Sequence, residues 1–547
     1  MGMYSAGFPI LSLITYLPLA GALIIIFFIN KENTRAIRGF ATIVAAIDFV
    51  LSIPLWFAFD RTAAGPLFQF EERFDWIPSL GVQYVFAIDG ISLLLILMTT
   101  MMGVIAIYSS FTAINNRQKE YYSLLLMLQT GMLGTFCALD LFLFYVFWEI
   151  MLVPMYFLIG IWGSKRRLYA AIKFFLYTLA GSLLMLLAIL SLYFFNAEGI
   201  PFFGIEGLGN EPSLDVLQFH EIGHLIPPTM QFWIFLGLFV GFAIKVPMFP
   251  FHTWLPDAHT EAPTAGSVIL AAVLLKMGTY GFVRFSLPIL PDATVQMVPF
   301  MVFLSIVGIV YGALVTLVQK DMKRLIAYSS VSHLGFVMLG MFALNPMGVN
   351  GSVLQMINHG ISTGALFLLV GIIYERRHTR MISEYGGLAK VMPIYATFFL
   401  ITALSSMGLP ALNGFIGEFT ILVGVANRNM WWAAFAATGI VLGAAYLLWL
   451  YQRVFWGPVD NPANQGLQDV KFMGREAWTL WPLVACMLWI GLYPKPFFDI
   501  LERPVSYVVE KVDAGYMDRD PLKYPEPQPA VHEEETHVAE LNPEVVE

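Results

Sequence analysis

A chain of 547 residues that is 58% hydrophobic and only 12% charged, with a mean hydropathy of +0.71, excludes the roughly three or four soluble domains that its length would otherwise imply. Its two cysteines, Cys137 and Cys486, each stand alone in an apolar run, which excludes a Cys-ligated iron–sulfur cluster, a zinc site of the same kind and a disulfide framework. The net charge of −8 comes largely from acid between Glu198 and Glu221 and after Asp513, and no basic tract points to nucleic acid.

Apolar stretches of about 20 residues, each long enough to cross the roughly 30 Å hydrocarbon core as a helix, recur from the first residues to the mid-490s. About fourteen spans are predicted, over residues 8–29, 37–59, 87–110, 121–138, 140–162, 169–195, 230–248, 264–287, 295–318, 324–343, 350–374, 393–424, 431–455 and 477–497. The first lacks the basic flank and small-residue cleavage site of a signal peptide and is expected to stay as a helix. The expected fold is therefore an all-α polytopic membrane protein.

Lys and Arg near short connections carry the topological signal. Eighteen lie in the odd-numbered connections, against Arg61, Arg73, Arg284 and Arg428 in the even-numbered ones. This asymmetry places the odd connections in the cytoplasm and both termini on the periplasmic side, for an ordinary bacterial inner membrane. The tail after about Asp513 is acidic, Pro-rich and poor in aromatics, so it is expected to be disordered or docked on a partner.

Charges inside the bilayer are costly, about 2.5–3.5 kcal/mol each on the most lenient scale, and so they mark function. Glu149 lies in the fifth span, Lys245 in the seventh, Lys276 in the eighth and Glu418 in the twelfth, while His333 and His359 lie in the tenth and eleventh. A static ion pair is one reading of Glu149 and Lys245; proton transfer is the other, because a carboxylate moving relative to a buried lysine switches it between loading and release. The two histidines either hydrogen-bond neighbouring helices or relay protons between Lys276 and Glu418. Pro247 and Pro250 follow Lys245, and Gly408, Pro410, Gly414 and Gly417 precede Glu418. Broken helices survive in a bilayer only where protein or water satisfies the freed backbone, so spans seven and twelve are expected to be broken beside cavities. Both fall fourth in a run of five spans, the arrangement of an inverted repeat.

Secondary candidates have plainer readings. Lys173 lies about a turn inside the sixth span, where snorkelling to the cytoplasmic surface competes at least equally with a functional role. Asp140 and Asp89 stand where helices begin, as caps, and Asp48 lies deep in the second span without an assignment. His252, Asp257, His259 and Glu261 crowd one connection without metal-ligand spacing, so a polar cytoplasmic entry funnel or packed loop is expected there. No metal is expected on this chain. No Walker loop and no strand-to-helix GxGxxG occurs, which excludes nucleotide hydrolysis and nicotinamide binding.

The runs FAIDGISLLLI, DLFLFYVFWEIMLVPMYFLIG, KVPMFPFHTWLPDAHTEAPTAGSVILAAVLLKMGTYGFVRF, DMKRLIAYSSVSHLGFVMLG, RMISEYGGLAKVMP and GLPALNGFIGEF resemble the family of antiporter-like M subunits of proton-pumping NADH:quinone oxidoreductase, respiratory complex I. The resemblance covers residues 8–497 and implies fourteen transmembrane helices, two inverted five-helix repeats and no cofactor on this chain. FMN, iron–sulfur clusters and quinone are then expected in partner subunits. The implied partners are the other membrane-arm subunits, two of them related antiporter-like subunits, and the lipid bilayer. It also implies a subunit of a translocase, driven by redox chemistry elsewhere, with the family's half-channel glutamate on Glu149, its broken-helix lysine on Lys245, its bridging lysine on Lys276, its relay histidines on His333 and His359 and its exit acid on Glu418. By the same resemblance, Glu418 separates this chain from the distal sibling subunit, which usually carries lysine there. The corresponding division is three N-terminal helices over 1–120, repeats over 121–290 and 291–455, a C-terminal helix over 456–500 and the tail over 501–547. A subunit of a multi-subunit sodium/proton antiporter or membrane-bound hydrogenase shares much of the motif set, and a scaffold with an inactive channel is the non-transporting alternative.

Overall fold

A computed structural model of the chain describes residues 8–62, 65–200 and 205–517. Helices dominate, and among the described residues ten are long and apolar enough to cross a membrane. An eleventh span is counted if Arg475–Leu492 and Lys495–Asp513, bent by 74° at their junction, form one. Three further predicted spans are helical but more polar or broken: Gln118–Cys137, Met322–Met341, and the pair Pro393–Ser406 and Asn413–Arg428.

Helix starts follow local chemistry. Asp89 accepts from Ser92 N, Asp140 from Phe142 N and Leu143 N, and Asp321 from Lys323 N and Arg324 N, each satisfying amides that the first helical turn leaves free. Asp89 and Asp140 are thus caps, as expected.

The eighth and eleventh predicted spans occupy the centre. Thr264–Ile289 and Pro346–Arg377 are buried all round over their apolar windows. Gly360 permits this close packing, since a Cβ there would lie 3.0 Å from the Ala272 carbonyl oxygen. By contrast Phe27, Phe28, Phe57, Trp233 and Trp431 are exposed on the periphery, the apolar surface of a chain that meets lipid or partner helices rather than water.

The seventh span is broken as expected, into Pro228–Lys245 and, after a short 3-10 turn, Trp254–Glu261. What the sequence presented as an entry funnel or packed loop is therefore the second half of a broken helix, which the Trp254 indole fastens by donating to the Ile244 carbonyl at 2.8 Å. The twelfth span breaks between Ser406 and Asn413.

The connections sort by parity. On one face Arg38 meets Gln118, Ser164 meets Glu261, Met322 meets Arg380, Arg376 meets Glu476 and Arg475 meets Thr112, linking odd connections to odd. On the other, Arg73 meets Asp215, Gln83 meets Asp140 and Arg503 meets Thr62.

Three features were not anticipated. An antiparallel hairpin, β1 (Gln69–Ile77) and β2 (Val82–Ile88), covers the even face. Arg284, counted among the outer connections, is instead fully buried within Phe282–Ser286, a π-helical stretch. Finally, the chain does not turn to tail at 501: a helix runs over Lys495–Met517, burying Ile500, Leu501, Val505, Val508 and Val512 on one face. Its apolar residues recur every three or four positions, as an amphipathic helix requires. Most of the acidic tail lies outside the described residues.

Candidate functional site

The predicted residues divide into two groups. In the first, Glu149 ends a helix, Leu141–Ile150, that is interrupted at Met151 before Leu152–Trp162 continues. Lys245 closes Pro228–Lys245 and is 1% exposed. Its Nζ lies 3.8 Å from Met151 Sδ and 5.0 Å and 5.9 Å from the ring centroids of Trp148 and Phe174. Among the described residues no carboxylate stands within 4 Å of it, and Glu149 Oε1 is buried without a hydrogen-bond partner. The static ion pair is therefore absent. Aromatic faces and a thioether hold the ammonium by weak, non-ionic contacts, while Glu149 acts on it through space.

In the second group the side chains form two hydrogen-bonded pairs with a ring-to-ring gap between them. Lys276 Nζ donates to Ala271 O at 2.5 Å and lies 2.6 Å from His359 Nδ1. Ala271 belongs to a π-helical stretch, Leu270–Leu274, whose i→i+5 pattern loosens the carbonyl ladder just where the lysine takes a carbonyl. The His359 and His333 rings are 5.8 Å apart, centroid to centroid. His333 Nδ1 lies 2.7 Å from Glu418 Oε1, which also accepts from Gln355 Nε2 at 3.0 Å. On its other side His333 Nε2 faces Tyr446 OH at 3.2 Å.

The break in the twelfth span stands against this acid. Gly408 adopts φ +79°, open to glycine at no steric cost, and a Cβ there would approach Glu418 Oε2 to 3.4 Å. Ser405 Oγ donates to Asn413 Oδ1, and Asn358 Nδ2 to Asn413 O at 2.7 Å, so polar side chains replace the ladder that the break removes.

The secondary candidates also find places. Lys173 pairs with Asp257 at 2.8 Å and donates to Thr253 O at 3.0 Å, so it fastens the sixth span to the broken helix rather than snorkelling free. His252 lies 3.3 Å from Tyr311 OH. Asp140 accepts from Gln83 N of the hairpin besides capping its helix. Among the described residues no group of three or more His, Cys, Asp or Glu side chains is placed to hold a metal ion.

Sequence reading missed several participants. Arg284 pairs with Asp89 at 2.5 Å, both fully buried, beside Tyr280 and Phe68. Asp48, unassigned before, accepts from Gln129 Nε2 at 2.6 Å across two helices. Gln355, Asn358, Asn413 and Tyr446 surround the second group; a polar residue one helical turn from His359 was the available signal for Gln355.

The family described as NADH:quinone oxidoreductase/Mrp antiporter, TM, matches residues 138–443. The chain is 44% identical over 517 residues to NADH-quinone oxidoreductase subunit M of Rhodobacter capsulatus, covering 92% of this chain and 97% of that relative. It superposes on a chain of respiratory complex I from Thermus thermophilus with a TM-score of 0.81 at 30% identity, covering 92% and 99% of the two chains. A chain of the Mrp complex of a Dietzia species shares the fold, with a TM-score of 0.77 at 20% identity over 93% of this chain and 98% of that one. The chain belongs to the family of antiporter-like M subunits of NADH:quinone oxidoreductase.

Proposed function

We propose that the chain is a proton-translocating membrane-arm subunit of NADH:quinone oxidoreductase, crossing a bacterial inner membrane fourteen times with both termini periplasmic. Its division follows the sequence reading, three N-terminal helices, two inverted five-helix repeats and a C-terminal span, save that the helix Lys495–Met517 extends the C-terminal part past 501 before the tail. Flavin, iron–sulfur and quinone chemistry belongs to partner subunits, among them two related antiporter-like chains. The observation that carries this reading is the buried polar line from Lys276 to His359 and, across one ring-to-ring gap, from His333 to Glu418 through the centre of the bundle.

In this reading Glu149 governs whether Lys245 holds a proton. When the carboxylate is ionised and near, the ammonium is favoured; when its influence is withdrawn, Lys245 releases the proton inward. Lys276 then hands a proton to His359 Nδ1, and the opposite ring nitrogen, buried without a hydrogen-bond partner among the described residues, passes one through water toward His333. His333 delivers it to Glu418 at the broken backbone. Each group returns to its starting state, and no electron moves on this chain. Lys173, Asp257, Asp140 and His252 position the helices that carry these residues.

The test is proton uptake and redox turnover in membranes carrying Lys276→Ala. Loss of coupled turnover in an assembled complex supports the reading, and a normal proton-to-electron ratio overturns it. Membership of a family that also includes Mrp antiporters keeps a second reading, cation/proton antiport without redox partners, which copurification with flavin and iron–sulfur subunits would eliminate.

A further inference from the structure

A cavity of about 460 Å³ opens on the odd-connection face, between the ends of the third, fifth and eleventh spans and the start of the tenth. Its wall includes Thr112, Glu261, Thr264, Lys323, Glu375 and Arg380. Most of these charges are already engaged. Arg380 pairs with Asp321 and donates to Thr260 O, Glu261 accepts from Arg166 N, and Glu375 accepts from Thr112 Oγ1. Lys323 differs. It is 5% exposed, and its Nζ donates to Ala262 O at 2.5 Å. An ammonium has three donors. Among the described residues Ala262 O is its one hydrogen-bond acceptor, so two donors are free to meet solvent entering the cavity.

About one helical turn before Ala262, whose carbonyl Lys323 holds, stands His259, fully buried, its ring stacked on Phe367 at 4.5 Å with the planes 4° apart. Neither ring nitrogen has a hydrogen-bond partner among the described residues. The two cations whose charges act on this ring are Lys323 and Lys276. A buried imidazole with both nitrogens unpartnered is costly as a purely structural element, and it can reverse its ring orientation without breaking a protein hydrogen bond.

We propose that this cavity is a second proton-loading port, and that Lys323 takes protons from its water and passes them by way of His259 to Lys276. The inference rests on the proton-translocating reading above and adds an entry that bypasses Glu149 and Lys245. Water in the cavity protonates neutral Lys323. The ammonium gives a proton to one nitrogen of His259, which releases the proton of its other nitrogen through water to Lys276, and a ring flip then turns the newly protonated nitrogen toward Lys276 and the bare one toward Lys323 for the next transfer. The charged and titratable groups around Lys323 are Asp321, Glu261, Arg380 and His259, with Glu375 and His378 on the wall of the same cavity.

The plain role of Lys323 is to fasten the carbonyl of Ala262, which caps the C-terminal end of Trp254–Glu261. Lys323→Arg keeps a donor and a charge but does not release a proton in the working range. In the assembled complex it is expected to lower coupled turnover by about tenfold or more. Lys323→His should retain part of the turnover, with the alkaline limb of the pH profile moved to lower pH. A fastening role predicts neither result. Normal turnover in Lys323→Arg, or an unmoved profile in Lys323→His, overturns the proposal. Lys276→Ala is the control: if it too pumps normally, the translocation reading has failed, whereas its loss alongside a normal Lys323→Arg overturns the port alone. Should the Lys323 variants not assemble, Ala113→Cys at the cavity wall, treated with a charged methanethiosulfonate, replaces them. Slower turnover after modification supports the port, and unchanged turnover at full modification overturns it.

Discussion

The two halves of the bundle hold their charges in opposite ways. Around Lys245 the contacts are an indole, a phenyl ring and a thioether, and the nearest predicted acid acts without touching. From Lys276 to Glu418 the groups lie in hydrogen-bond contact or one ring apart. Coulombic influence declines gradually with distance, whereas a hydrogen bond is lost within a few tenths of an ångström. The first half is thus built as a switch that responds to a field, and the second as a line that conducts only when continuous.

The largest effect expected from this contrast is at Glu418. Shortening the side chain in Glu418→Asp withdraws the carboxylate from both His333 and Gln355, and coupled turnover should fall by about a hundredfold, as for loss of a positioned acid–base group. Glu149→Asp moves its carboxylate by a similar step but breaks no contact to Lys245, so a loss of only about threefold is expected. Turnover measured in membranes at one pH compares the two directly. Equal losses would show that Glu149 also makes a direct contact during the cycle, and the contrast between switch and line would be withdrawn.

Outside both halves, the Arg284–Asp89 pair ties the third span to the eighth at their even-face ends. Removing one partner of a buried ion pair leaves an uncompensated charge and costs about 3–5 kcal/mol. Asp89→Ala should therefore reduce the amount of assembled complex on native gels, while the complexes that do form pump with a normal stoichiometry. Reduced stoichiometry with normal assembly would move this pair from scaffold to proton path.

A smaller, pH-dependent effect is expected at His220. Burial holds its imidazole down to about 3, with Nε2 against the Arg284 carbonyl and Nδ1 against Tyr507 OH of the C-terminal helix. A histidine whose folded value lies below its unfolded value of about 6.5 contributes fully above that value and loses its contribution as pH falls toward 3. At pH 5 the loss is about 2 kcal/mol. Amide exchange in Lys495–Met517 should accelerate between pH 7 and pH 5, after correction for intrinsic rates, and His220→Gln should remove that acceleration.

The same contrast explains what could be read from sequence. Intramembrane charge is so costly that Glu149, Lys245, Lys276 and Glu418 stood out against apolar runs, and Pro and Gly marked both broken helices. Arg284 was lost because its neighbourhood, FVRFSLPIL, reads as the end of a span, and only its partner Asp89, almost two hundred residues earlier, reveals it as buried. The helix Lys495–Met517 alternates charge with valines at helical spacing, so mean hydropathy hid it while its buried face packs firmly. Contacts among side chains from spans eight, ten, eleven and twelve are long-range facts that composition does not carry.

Lys173 supplies the smallest test. Its pair with Asp257 is one-fifth exposed on each side, so solvent screens much of the attraction, and such pairs contribute about 1 kcal/mol or less. Lys173 nevertheless adjoins Phe174, whose ring centroid lies 5.9 Å from Lys245 Nζ, which makes it the natural competitor for a place in the switch. Lys173 also donates to the Thr253 carbonyl, just before Trp254–Glu261 begins, so its plainest task is to hold that half-helix in register. Lys173→Ala and Asp257→Ala should each lower thermal stability slightly, and the double variant should lose less than the sum, since the first removal already abolishes the shared contact. Coupled turnover should stay within about twofold of normal in all three, because neither group touches Lys245. A strong loss in Lys173→Ala alone, with Asp257→Ala near normal, would instead make the lysine's own proton part of the first half's chemistry, and the field-driven switch would have two cations to govern.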